Sequence, residues 1–218
     1  MTTIRPVSSL PATTLPWLSL KDHFVATVGP SAGQGQPLGP LLVLADATFA
    51  PRSRFPLHGH REMEILSVVV EGELSHHGDQ ADGSVVKARG AQLISSRDGM
   101  RHAEGNETDA QTHMLQIWFE PTTHGGPAVA FARQLPSTPG VHLVAGDDGM
   151  PLRCPVKVWW VDVQGAQRLP VRARGYLVGL RGGVQVDGQK LSVGDGAVLS
   201  PGTVALDGDG AVLVIELS

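Results

Sequence analysis

Two stretches of this chain share one grammar, and that repeat constrains the fold more than any other feature. Residues 69–95 read VVEGELSHHGDQADGSVVKARGAQLIS, and residues 178–200 read VGLRGGVQVDGQKLSVGDGAVLS. Each runs apolar strand, Gly turn, short strand, Asp-Gly turn, strand, Gly turn, apolar strand, Ser. Identity between the copies is low, but the order of strand and turn signals is the same. Neither copy contains an apolar period of 3.6 long enough for a crossover helix, so a parallel βαβ sheet is excluded. With 27 glycines, 16 prolines and only 5% aromatic residues in 218, the rest of the chain also favours short strands and turns. The expected architecture is all-β: two similar antiparallel β-units, each closing into a small barrel.

A proline-rich tract, PTTHGGPAVAFARQLPSTPG at 121–140, reads as a linker with one helical turn at 129–133. It divides the chain into an N-terminal unit, 1–125, and a C-terminal unit, 126–218. Residues 1–22 read as an extended segment lying on the body rather than as an element of their own.

A net charge of −4 without a basic block argues against a nucleic-acid surface. The apolar runs are shorter than the roughly 18 residues a membrane-spanning helix needs. The N-terminus carries one arginine, and prolines interrupt its apolar part, so it is a poor signal peptide. One cysteine, Cys154, excludes an intrachain disulfide; it reads as a buried, inert thiol. These features predict a cytoplasmic protein with no membrane segment.

Eight of the nine histidines fall in the first 124 residues, so only the first unit can hold a histidine-rich site. Within it, FPLHGHREMEILSVVVEG places His58 and His60 at i, i+2 spacing before an apolar run. In a strand that spacing puts both imidazoles on one face. His102 and Glu104, in GMRHAE, repeat the spacing. Three imidazoles and a carboxylate from two strands suit Fe(II), Mn(II), Ni(II) or Zn(II), with positions left open for water or substrate. Affinity order does not choose among these metals. Glu64, and Glu62 beside it, share strand parity with His58 and His60. Glu64 is therefore a second candidate carboxylate, or a residue that orients a ligand imidazole. His76 and His77 adjoin a turn and read as surface residues, and His113 is a candidate for the cavity wall. No role is assigned to His23, His124 or His142.

The segments HGHREMEILSVVVEGELSHH, ISSRDGMRHAEGNE and HMLQIWFEP together resemble the pirin family of the cupin superfamily, above all its bacterial members. The resemblance is strong over residues 55–121 and weaker beyond. It implies a bicupin, two jelly-roll barrels face to face, with one divalent metal in the first. Its ligands would be His58, His60, His102 and Glu104, and the ion would be iron, with manganese, nickel, cobalt or zinc as alternatives. In generic cupins the carboxylate comes from the first motif, here Glu64; in pirins it comes from the second, here Glu104. Gly59 stands where relatives usually have proline, which loosens that strand. The activity implied is that of a quercetin 2,3-dioxygenase, with a flavonol and O₂ as substrates and Glu104 accepting a proton. The alternatives are a non-catalytic, metal-holding regulator acting through protein partners, and a small-molecule binding barrel with a vestigial metal.

Overall fold

The computed structural model describes residues 2–217. It is built almost wholly of antiparallel strands, with a single short 3-10 turn at Val7–Ser9. No helix among the described residues is long and apolar enough to cross a membrane.

The chain divides into two compact units. One comprises Pro11–Leu135 with Leu152–Cys154, and the other 2–10, Pro136–Pro151 and 155–217.

In the first unit a seven-stranded sheet runs Val129–Gln134, Gly90–Ser95, Glu64–Glu71, Thr112–Phe119, Leu41–Phe49, Leu18–Asp22, Ala12–Leu15. A five-stranded sheet runs Ser53–Arg54, Met100–Asn106, Glu73–Gly78, Ser84–Lys87, with His58–His60 also on Met100–Asn106. Leu20, Val43, Phe49, Val69 and Met114 of the larger sheet share one core with Leu74 and Val86 of the smaller. Leu41–Phe49 alternates apolar-in, as expected of a strand with one buried face. Glu64–Glu71 is buried along nearly its whole length, which explains its apolar run, interrupted only by Ser67.

In the second unit one eight-stranded sheet runs Thr3–Arg5, Gly196–Leu199, Arg174–Val186, Gly202–Leu217, Val156–Gln164, Val141–Ala145. Gln167–Val171 joins it on Gly202–Leu217, and Gln189–Leu191 on Arg174–Val186. Val161, Val163, Leu177, Leu199, Val212 and Val214 form its core. Both copies give a hairpin and a further strand, but in the second the expected Gly turn at 181–183 is absent, Arg174–Val186 running through it as one strand. Neither unit closes into a hydrogen-bonded ring among the described residues; sheet faces, not a closed ladder, enclose each core.

Two further expectations fail. The segment expected as a helical turn is the strand Val129–Gln134, paired with Gly90–Ser95 over six residues. So short a helix is unstable alone, while an open sheet edge satisfies every alternate backbone group at once. The N-terminal segment does form elements: Ala12–Leu15 and Leu18–Asp22 are a hairpin completing the large sheet, and Thr3–Arg5 pairs with Gly196–Leu199.

Candidate metal centre

The centre is built on Met100–Asn106, which has histidine-bearing strands on both sides. On one side His102 lies opposite His58 and Met100 opposite His60. On the other, Glu104 lies opposite His76. Because alternate residues share a face, this register gathers His58, His60, His76, His102 and Glu104 on one side of the small sheet. Gly78 makes the close pairing possible. Its φ is +136°, and a Cβ there would lie 2.2 Å from the Arg101 carbonyl oxygen and 2.8 Å from the His102 Cα.

His58, His60 and His102 form a nearly equilateral triangle, with ring centroids 4.8, 4.6 and 4.9 Å apart. Their ligand nitrogens lie within 4.8 Å of one another. Glu104 joins this triangle through His102, its Oε1 lying 4.0 Å from His102 Nδ1. Glu104, His102 and His76 form a second such cluster, wholly buried. Four expected residues thus come together, three tightly and Glu104 one step away.

The polar atoms test whether these residues fit an ion. His60 Nε2 and both ring nitrogens of His102 are buried and make no hydrogen bond among the described residues. Buried polar groups are rarely left without partners, so one ring nitrogen each from His60 and His102, within 4.8 Å of the ligand atom of His58, match a cation. His58 Nδ1 lies 2.8 Å from the Pro56 carbonyl oxygen, which only accepts; the proton therefore sits on Nδ1 and Nε2 keeps its lone pair.

Glu104 is held as a carboxylate. Ser67 Oγ donates to Oε1 at 3.1 Å, Gln92 Nε2 to Oε1 at 3.4 Å and Gln116 Nε2 to Oε2 at 3.2 Å. Burial works to raise its pKa, but the His76 and His102 imidazoles and the Ser67 hydroxyl hold it below the usual carboxylate range.

Burial is the largest cause lowering His60 and His102 to about 4, with neighbouring imidazoles adding to it and Glu104 opposing it. Both are therefore neutral, ligating bases at pH 7. In the unfolded chain a histidine titrates near ~6.5, so between the two values the unfolded state binds more protons. The metal-free protein is thus expected to lose stability as pH falls from about 6.5 towards 4, with no contribution above that window. Thermal unfolding of metal-free protein at several pH values checks this; a midpoint constant across the window contradicts it.

A cavity of about 300 Å³ opens beside the cluster, lined among others by Phe49, Phe55, Met114 and Trp118, with Thr27, His58, Glu104 and Gln116 as its polar groups. An apolar pocket with a few convergent polar atoms is the usual form of a small-molecule site. Phe55 packs edge-on against Phe49 and Trp17, at 5.6 and 5.1 Å, and Trp118 packs edge-on against His60 at 4.9 Å.

Other sequence readings are corrected. Glu64 and Glu62 are in neither cluster. Glu62 has a φ of +48°, and that left-handed residue resets the alternation on which the parity argument rested. Glu64, fully buried, instead accepts from Ser95 Oγ at 2.5 Å and Arg153 Nε at 2.8 Å. Glu62 binds the Gly125 amide at 2.7 Å and faces His124 at 3.2 Å. His76 is not a surface residue: it is 1% exposed, with Nδ1 2.9 Å from Gln92 Nε2 and 3.7 Å from Glu104 Oε1. Only its register opposite Glu104 reveals it, and a doublet beside a turn carries no such signal. His113 does not line the cavity; it pairs with Asp46 at 2.7 Å. His77, half-buried, bonds Glu107. Cys154 is buried, and burial with the nearby Glu64 charge pushes its thiol up to about 12, as expected of an inert cysteine.

Known proteins are similar to this chain in sequence and in fold. The chain is 30% identical to a pirin-like protein of Caulobacter vibrioides over 207 residues, covering 88% of each. It is 28% identical to an Escherichia coli protein named quercetin 2,3-dioxygenase over 189 residues, 81% of this chain and 82% of that one. The crystal structure of YhhW from Escherichia coli superposes with a TM-score of 0.90 at 22% identity, covering 100% of this chain and 98% of that one. The same bacterial pirin in complex with nickel(II) gives 0.89, also at 22% identity, covering 100% and 99%. The family model for Pirin matches residues 10–119, half of the 218. The chain belongs to the pirin family.

Proposed function

We propose that this chain is a metal-dependent flavonol 2,3-dioxygenase, with His58, His60, His102 and Glu104 holding one divalent transition metal. The observation that carries this reading is the convergence of three imidazoles, two of them with buried ring nitrogens that make no hydrogen bond among the described residues, beside an apolar cavity. The relative from Escherichia coli that bears this activity in its name supports it, as does the nickel complex of YhhW. Iron remains the first expectation for the ion, with nickel next to it.

Phe49, Phe55, Met114 and Trp118 suit a flat, water-excluding substrate, and His58, Glu104 and Gln116 mark the end where its oxygens lie. A bound divalent metal supplies Lewis acidity, lowering the pKa of a substrate hydroxyl. Glu104, ionised and lining the cavity, accepts that proton. Gln116 fixes the carboxylate through Oε2 and so sets where the proton is received. In the overall reaction with O₂ the two ring bonds to the hydroxyl-bearing carbon break, that carbon leaves as carbon monoxide, both atoms of O₂ enter the ring-opened ester, and Glu104 returns its proton to the product.

The test is to load the protein separately with Fe, Mn, Ni and Co, add quercetin, and follow flavonol absorbance together with O₂ uptake. One O₂ consumed per flavonol lost, with at least one metal, is expected. Full loading without turnover in all four removes the catalytic reading for this substrate and leaves a metal-holding, non-catalytic protein.

A further inference from the structure

The second unit has a cavity of its own, about 320 Å³, bordered by Lys157, Trp159, Arg168, Leu169, Arg172 and Glu216. No metal-ligating cluster of the described residues includes any of them. In Val156–Gln164 the inward positions run Lys157, Trp159, Val161, Val163, and in register across the ladder stand Glu216, Val214, Val212 and Gly210. Val161, Val163, Val212 and Val214 belong to the core. One sheet face therefore passes from aliphatic core, through a tryptophan, to charge. A charge on an inward face is unfavourable unless it is paired or meets a ligand.

Two of these charges have partners. Lys157 Nζ is 2.5 Å from Asp147 Oδ2, and Glu216 Oε1 accepts the main-chain N–H of Arg172 at 2.9 Å. Arg168 and Arg172 are exposed at the rim of the cavity rather than on its inward face, and neither guanidinium makes an ion pair or hydrogen bond among the described residues, so both are free to meet a ligand. The clustering is selective as well. Seven lysines and arginines stand against eight acids in this unit, yet three of the seven border this one cavity.

We infer that this cavity binds a small organic anion with a flat apolar body, an aromatic carboxylate. Its ring lies on Trp159 and Leu169, and its carboxylate meets the forks of Arg168 and Arg172. A planar guanidinium matches a carboxylate with two parallel hydrogen bonds, and an aromatic floor favours a flat body over a bare inorganic anion. The site is independent of the histidine cluster.

The test is calorimetric titration of the full-length, metal-loaded protein with naphthalene-2-carboxylate, with naphthalene-2-methanol and inorganic phosphate as comparisons. The expected result is one saturable carboxylate site, weakened at least about tenfold in Arg168→Ala/Arg172→Ala and unchanged in His58→Ala, which is titrated without metal. The neutral alcohol and phosphate should each bind at least about tenfold more weakly. Circular dichroism of the double variant confirms that it is folded; Arg168→Gln alone, on an exposed side chain, gives the same direction where the double variant is not. Absence of a saturable site overturns the inference, as does binding unaffected by either arginine change. Phosphate binding as tight as the carboxylate overturns the aromatic class.

Discussion

His102→Ala is expected to leave the protein without its metal, the content falling from about one ion per chain to below about a tenth, and flavonol turnover falling with it. His102 belongs to both clusters, is fully buried, and has two ring nitrogens without a hydrogen bond among the described residues. Removing it opens the imidazole triangle and takes away the group that links Glu104 to it. Loss of an outer partner of a metal ligand typically costs 10–100-fold in affinity, on the order of one to three kcal/mol, and loss of a ligand should exceed this. Metal analysis after dialysis, on protein checked for folding, gives the result. His124→Ala is the control, since His124 is exposed and its polar partner among the described residues is Glu62, outside both clusters. Equal loss in both variants contradicts the ligand assignment.

Arg153→Ala is expected to destabilise the protein by about 3–5 kcal/mol while leaving metal content unchanged. Arg153 bonds Glu64 through Nε at 2.8 Å and the Thr123 carbonyl through Nη1 at 2.9 Å, and its side chain is 12% exposed. Without it the Glu64 carboxylate is fully buried with no cation to meet it. Replacing both residues, as in Glu64→Leu/Arg153→Met, should recover much of the loss, because an apolar pair leaves no orphan charge. Chemical denaturation of the three proteins separates the cases. An Arg153→Ala protein that keeps its stability but loses its metal would mean that Glu64 serves the ion after all.

These two residues mark the limit of what local spacing reveals. His58, His60, His102 and Glu104 were legible because each pair lies within one strand, where a period of two decides which side chains share a face. That reasoning ends where a strand ends. Glu62, with its left-handed backbone, separates the small-sheet strand His58–His60 from the large-sheet strand Glu64–Glu71, and the face of Glu64 no longer follows from that of His60. His76 and Arg153 act through partners 28 and 89 residues away, distances over which no local pattern speaks. The same holds for the fold. Turn residues and apolar runs identify the strands and their repetition, but sheet order depends on long-range pairing. Val129–Gln134 became a strand because Gly90–Ser95 offered it an edge.

X-ray absorption at the metal edge of the purified, loaded protein tests the central claim most directly. The expected result is a first shell of light nitrogen and oxygen atoms, with the outer scattering of three imidazole rings and none from sulfur. A shell with no imidazole signature, or with a single ring, would contradict it.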